Sequence, residues 1–300
     1  MLSALVLCAG LGTRLDPLTR LVAKAIVPLG SRTLVEHVLA WLRAQGVVDV
    51  VINLHHRPET IAGVLGDGRQ YGLRLRYSWE HPLLGSAGGP RRALPLLDTD
   101  PFLIVNGDTL CEPDLSPMID AHVKRGAAVT MALVPNPAPD RYNGVVLDDN
   151  DVVVGFVPKG PQAIGSWHFV GTQIAGRAMF EGLADGVPAE TVSGIYRDRI
   201  VAGRRDIHGW RVASRFLDVG TPAEYLAAAR ALGATDTTGS VVWPGSRVSP
   251  GATVESAIVA GIEVPPDMSV REAVVLPAAI LREGDRATRH GDVAVFPISG

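Results

Sequence analysis

The chain has 300 residues, a formal net charge of −3, and 47% hydrophobic against 20% charged residues. That is the composition of a globular chain with a sizeable core, and its length favours about two domains. It excludes a disordered chain and a broad nucleic-acid surface, so no nucleic-acid partner is expected.

Residues 2–8 form a continuous apolar run, as in a strand buried on both faces. A glycine-rich loop follows, and then Leu34, Val38, Trp41 and Leu42 recur at helical spacing. Residues 50–54 and 73–77 read as strands, 60–65 and 88–97 as helices. Residues 102–105 form a strand ending in Asn106-Gly107-Asp108; 113–124 is a helix and 127–134 a strand. Strand and helix alternating in this way predict βαβ units and a mostly parallel, Rossmann-like sheet, with ligands at the carboxyl ends of the strands. From Pro135 the texture changes. Residues 145–147, 152–157 and 167–174 are strand-like and predict an antiparallel excursion. Residues 222–232 are a helix with Thr221 as N-cap and Pro222 in its first turn. Beyond it, V-x-P-G hexads begin at Val242 and Val248 and continue to Val254. After a phase shift, Ile262, Met268, Val274 and Ile280, and likewise Val264, Val270 and Leu276, recur every six residues. This period predicts a short β-helix-like appendage. The expected domains are therefore 1–234 and 235–300, the second free to serve assembly into a homo-oligomer.

Two cysteines, Cys8 and Cys111, are too few for a disulfide framework or a zinc cage. No apolar stretch approaches the roughly 20 residues that span a bilayer, and the first residues lack the charged start of a signal peptide. A cytoplasmic protein without a membrane partner is expected. Only three of the 28 basic residues are lysines: Lys24, Lys124 and Lys159. No Gly-Lys pair occurs, which excludes a G-x-x-x-x-G-K-[ST] phosphate loop.

The strongest chemical signal follows the first strand: Gly10-Leu11-Gly12-Thr13-Arg14, then Thr19 and Lys24. Two glycines let backbone N–H groups approach an anion. Arg14 offers a fork for phosphate oxygens, and Lys24 a compact charge. The string resembles the signature of the sugar-1-phosphate nucleotidyltransferases, the nucleotide-sugar pyrophosphorylases. It departs from them in having Ala23 where a proline usually precedes the lysine. Three further motifs fit in the same order. Leu84-Gly85-Ser86-Ala87-Gly88 is similar to the family's base-lining L-G-T-A-G. Asn106-Gly107-Asp108 ends a strand, as the metal-binding aspartate does in the family. Asp218-Val219-Gly220-Thr221-Pro222 is similar to D-x-G-T-P, which carries the second metal ligand. Tyr142-Asn143-Gly144 resembles Y-G-V-V with Asn143 inserted. Lys159 matches the sugar-phosphate lysine, although Pro158 stands where a glutamate is common. Phe169-Val170-Gly171-Thr172 resembles the family's sugar-lining strand.

The resemblance implies an α/β nucleotidyltransferase that joins an NTP to a sugar 1-phosphate with release of pyrophosphate. Arg14, Lys24 and Asp108 would be catalytic, and Mg²⁺ would be held by Asp108 and Asp218. Ala9, Gly10, Leu11, Gly12, Thr13, Gly85, Ser86, Ala87, Gly88 and Asn106 would bind nucleotide. Gly144, Lys159, Gly171 and Thr172 would bind the sugar phosphate. The motifs look most like the branch using GTP and mannose 1-phosphate. A uridylyltransferase acting on N-acetylmuramate or hexose 1-phosphate is the alternative, with a thymidylyl enzyme third. A silent regulatory homologue would be expected to lose Arg14, Lys24 or an aspartate, and all are present. A glycosyltransferase would want a D-x-D motif at a strand end; Asp98-Thr99-Asp100 precedes its strand.

Overall fold

A computed structural model describes residues 2–298; residue 1 and residues 299–300, the outer ends of the two expected domains, lie outside the described residues. The chain groups into two compact units. The larger comprises residues 2–10 and 38–216, the smaller residues 11–37 and 217–298.

The larger unit is built on one sheet. Its strands are β1 (Ala4–Leu7), β2 (Asp49–Leu54), β3 (Arg74–Trp79), β4 (Phe102–Asn106), β5 (Val129–Pro135), β6 (Gly144–Leu147), β7 (Val153–Val157), β8 (Trp167–Ala175) and β9 (Ile207–Arg211). The order β7-β6-β8-β4-β1-β2-β3 has a parallel half, β4-β1-β2-β3, as the alternation of strands and helices requires. β8 then runs antiparallel to β4 and to β5, and β9 lies parallel to β5. The excursion after Pro135 therefore extends the main sheet. β1, β2 and β4 are largely apolar on both faces because helices cover them, whereas β3, at the end of the strand order, alternates polar and apolar residues. α1 (Leu34–Ala44) and α2 (Pro58–Leu65) follow β1 and β2. α3 (Gly85–Ala93) and α4 (Leu115–Arg125) follow β3 and β4. Leu5, Val51, Phe102, Ile104, Met131, Leu133, Phe180 and Tyr196 make the core, with the Phe102 and Phe180 rings 5.7 Å apart. The Tyr196 hydroxyl, fully buried and pushed well above its ordinary pKa by that burial, donates to Gln173 Oε1 at 2.9 Å.

One sequence expectation shifts here. The helix predicted from residue 88 begins at Gly85, so the Leu-Gly-Ser-Ala-Gly motif is itself a first helical turn. The segment 176–206 holds the short helix α5 (Ala178–Glu181), a wide turn at Thr191–Tyr196 and α6 (Arg197–Val201).

In the smaller unit, residues 11–33 run through three tight turns (Thr13–Leu15, Leu18–Arg20, Lys24–Ile26) and a small ribbon closed by Gly30. α7 (Pro222–Ala231) begins as expected: Thr221 Oγ1 accepts from the Glu224 N–H at 3.3 Å. The hexads then wind into parallel coils. Arg247 pairs with Glu263 and Thr253 with Ser269, each 16 residues on, while Val241 pairs with Ile258, 17 on. Three strands per coil make this a β-helix, as its period predicted. Val254, Val259, Val264, Val270 and Val275 point inward. The steps from 254 to 259 and from 259 to 264 are five residues each, and together they make the phase shift visible in the sequence. Residues 273–277 then pair antiparallel with 293–297 and end the stack. Tyr225 ties the unit together. Its buried hydroxyl donates to the Pro28 carbonyl and accepts from Trp243 Nε1 at 3.0 Å.

Candidate functional site

The expected residues divide between the two units. Ala9 and Gly10 close β1 in the larger unit. The motif at 85–88, Asn106, Asp108, Gly144, Lys159, Gly171 and Thr172 also belong to the larger unit. Leu11, Gly12, Thr13, Arg14, Lys24 and Asp218 belong to the smaller.

In the smaller unit the signature folds back on itself. Gly12 has φ +65°, a left-handed conformation that glycine takes without penalty. A Cβ there would lie 2.8 Å from Thr19 Cγ2 and 3.0 Å from Lys24 Cβ. The Thr19 hydroxyl donates to the Gly12 carbonyl at 3.2 Å. Thr19, in the signature but not among the expected ligands, thus braces the glycine turn. Lys24 is buried to 9% exposure beside it. Arg14 is exposed on the turn Thr13–Leu15, and its guanidinium lies against Gly220, where a Cβ would meet Nη1 at 2.8 Å. The G-x-G-T-R and D-x-G-T-P motifs, about 200 residues apart, are therefore brought together. Glu224 completes this corner by accepting from the Gly220 N–H at 2.7 Å. Both Gly220 and Glu224 were missed as site residues, yet Thr221-Pro-Ala-Glu224 is a readable capping-box spacing.

In the larger unit the small residues admit the protein's own chain. Ser86 donates from its backbone N–H (3.2 Å) and from its hydroxyl (2.5 Å) to Glu190, while the Ala87 and Gly88 N–H groups go to the Ala189 carbonyl at 2.9 and 3.2 Å. A Cβ at Gly85 would meet Glu190 Oε1 at 2.5 Å, and one at Gly88 the Val187 carbonyl at 2.8 Å. A second network links this helix to the end of β1. The Cys8 N–H donates to Asn53 Oδ1 and Asn53 Nδ2 to Glu80 Oε1, both at 2.7 Å. The Leu84 N–H reaches Glu80 Oε2 at 2.9 Å. Glu80 is 5% exposed. Nothing in its sequence context distinguishes it from a surface glutamate.

Gly171 (φ +82°) sits at an irregularity of β8, where a Cβ would meet Asn106 Nδ2 at 2.4 Å, so Gly171 and Asn106 are packed together. Thr172, next along, is buried at 2%. Lys159 is exposed, and its backbone N–H donates to Asn143 Oδ1 at 3.0 Å. The residue inserted in Y-G-V-V thus anchors the lysine's loop. Tyr142, His168 and Phe216 form an aromatic trio there, with centroids 4.4 to 5.7 Å apart.

Asp108 is half-buried in the turn after β4, accepting from the Thr109 hydroxyl at 3.4 Å. Burial, and then the Asp108 charge, push the Cys8 thiol far above its ordinary pKa. Burial raises Cys111 to about 11. Both thiols are held towards their protonated form, which disfavours a thiolate nucleophile. Among the described residues, no three His, Cys, Asp or Glu side chains gather into a cage. Oxygen donors from one or two aspartates suit a hard dication that completes its shell with phosphate and water. No helix among the described residues is long and apolar enough to cross a membrane.

Residues 3–234 match the family model for nucleotidyl transferases. The chain belongs to the nucleotidyl transferase family. The resemblance read from the signature is borne out at this level, and with it the expectation of an enzyme. Over 292 residues the chain is 28% identical to a mannose-1-phosphate guanylyltransferase of Mycobacterium tuberculosis, covering 94% of this chain and 81% of that one. It is 29% identical over 231 residues to a mannose-1-phosphate guanyltransferase of Candida albicans, covering 75% of this chain and 63% of that one, less than two thirds of its length. The fold matches HddC from Yersinia pseudotuberculosis, a structure complexed with GMP-PN. The TM-score is 0.67 at 21% identity, covering 77% of this chain and all of that one.

Proposed function

We propose that this nucleotidyl transferase joins an NTP to a sugar 1-phosphate, giving an NDP-sugar and pyrophosphate, and that the pair is GTP and mannose 1-phosphate. The observation that carries the reaction is the smaller unit's packing of Gly12 on Lys24 and of Arg14 on Gly220. It gathers a braced glycine turn and two cations of different shape. The names of the relatives at 28 and 29% identity support the substrate pair.

A phosphate oxygen of the sugar phosphate attacks the α-phosphorus in line. The bond to the bridging oxygen breaks, and pyrophosphate leaves with that electron pair. The nucleophile is already an anion, so no side chain need remove a proton, and positioning and charge neutralisation do the work. Arg14 presents a planar fork to the departing pyrophosphate. Lys24, confined by burial, places its ammonium beside the α-phosphate. Lys159 holds the incoming phosphate against its repulsion from the triphosphate. Asp108 and Asp218 would hold Mg²⁺, which when bound neutralises phosphate charge. We assign nucleotidyl transfer to residues 1–234, in line with the extent of the family match, and place the enzyme in the cytoplasm. A matrix of NTPs against sugar 1-phosphates with pyrophosphate detection tests the proposal. GTP with mannose 1-phosphate should give the highest kcat/KM. No pyrophosphate from any pair would overturn the reaction, and a preference for UTP would overturn only the base.

A further inference from the structure

We propose that Asp285, in the segment beyond the β-coils, is a positioning residue for the signature loop: through Arg20 and Asp16 it holds the turn that presents Arg14. The kinetic part of this inference rests on the nucleotidyl-transfer reading; the geometric part does not.

Arg20 follows Arg14 by six residues, yet its side chain is only 7% exposed. Its guanidinium is forked onto two carboxylates at once. Nε donates to Asp16 Oδ1 at 2.8 Å, and Nη2 to Asp16 Oδ2. Nη1 donates to Asp285 Oδ2 at 2.6 Å and Nη2 to Asp285 Oδ1 at 2.8 Å. Nη1 also reaches the Ile280 carbonyl at 3.2 Å, and Phe296 lies under the guanidinium, 5.3 Å from its centre. Asp285 is in turn fixed by the Arg282 N–H at 2.7 Å. Paired forks of this kind fix angle as well as distance. Burial lifts them above exposed ion pairs, which contribute little.

What this cluster fixes is the signature turn. Asp16 closes it, donating its N–H to the Thr13 carbonyl at 3.2 Å, with Leu15 donating to Gly12 at 3.0 Å. Arg14 lies between them. A cavity of about 400 Å³ shows the same juxtaposition. Arg14, Asp16 and Arg20 share its wall with Asp285, Arg286 and Phe296. The guanidinium holds the Asp285 carboxyl down at about 2, and its own pKa is raised by the two carboxylates. The Arg20–Asp285 pair therefore stays ionised near neutral pH and acts as a fixed brace.

The test uses the full chain with Asp285→Asn and Asp285→Glu. Hydrogen exchange should speed up at the amides of Leu15 and Asp16 in Asp285→Asn and stay unchanged in β1 to β3. In the pyrophosphate assay kcat should fall between about tenfold and a hundredfold, with the sugar-phosphate KM within about twofold of wild type. Asp285→Glu, which keeps the charge, should recover part of kcat. It carries the same exchange measurement if Asp285→Asn does not fold. Unchanged exchange at Leu15 and Asp16 overturns the proposal, as does a lowered melting temperature with wild-type kcat. If the wild type releases no pyrophosphate, the proposed reaction fails while exchange still decides the brace.

Discussion

Gly12→Ala is the sharpest perturbation of the signature. It forces a Cβ into a left-handed conformation, at roughly 1–2 kcal/mol for an L-residue. The new carbon would also lie 2.8 Å from Thr19 Cγ2 and 3.0 Å from Lys24 Cβ, inside the 3.5–4.0 Å at which carbons pack best. Overpacking of this kind costs about 1–3 kcal/mol. The sum, roughly 2–5 kcal/mol, is a large share of the 5–15 kcal/mol that holds a typical fold together. Either the strain stays and the melting temperature drops by several degrees, or Thr19 and Lys24 retreat and kcat falls. Gly10→Ala is the stability control. Gly10 has no left-handed φ, and its Cβ would meet nothing within 4 Å, so stability should change by less than about 0.5 kcal/mol. Thermal unfolding and pyrophosphate release, measured on both variants, decide the matter. A Gly12→Ala protein as stable and as active as wild type would refute the reasoning.

Asp108→Asn should leave the melting temperature near that of wild type while turnover is lost; an active, Mg²⁺-dependent variant would remove Asp108 from the metal site. Lys24→Arg should lower kcat, because a longer fork must fit where the lysine is 9% exposed, whereas Lys124→Arg, exposed at the end of α4, should be silent in the same assay. Asn143→Ala should free the Lys159 loop and raise the sugar-phosphate KM with little change in the nucleotide KM. The Asp285 carboxyl titrates at about 2 when folded and near 3.9 when unfolded. Its contribution to stability is therefore complete above about pH 4 and lost as the pH falls towards 2. Chemical denaturation of wild type and Asp285→Asn across that window should show a shallower acid loss in the variant.

The parts of this protein visible in its sequence are those set by local chemistry. The apolar run of β1, the glycine spacing at 10 and 12, and the Thr221 cap each follow from neighbours a few residues away. The hexads were legible for the same reason. The hidden parts depend on distant chain. Gly85 lies ahead of the helix read over 88–97, yet it opens α3, and Glu190, the Val187 carbonyl and Glu80 press where side chains at Gly85, Gly88 and Gly89 would be. Glu80 reads as a surface charge because its partners, Asn53 and the Leu84 N–H, come from another strand and from a turn. Asp16, Arg20 and Asp285 are unremarkable letters until the fold unites them.

That union sets an order of events in synthesis. Arg20 and Asp285 are 265 residues apart, and closing a free loop of that length costs about 5 kcal/mol in chain entropy before any contact rewards it. A ribosome releases the Gly-x-Gly-Thr-Arg segment well before Asp285, with the strands of the large sheet made in between. The nascent chain can complete that sheet while the loop that marks its family still waits for Asp285. Competence would then follow the segment that carries Asp285, and a chain cut before it would keep the whole signature without the brace that sets it.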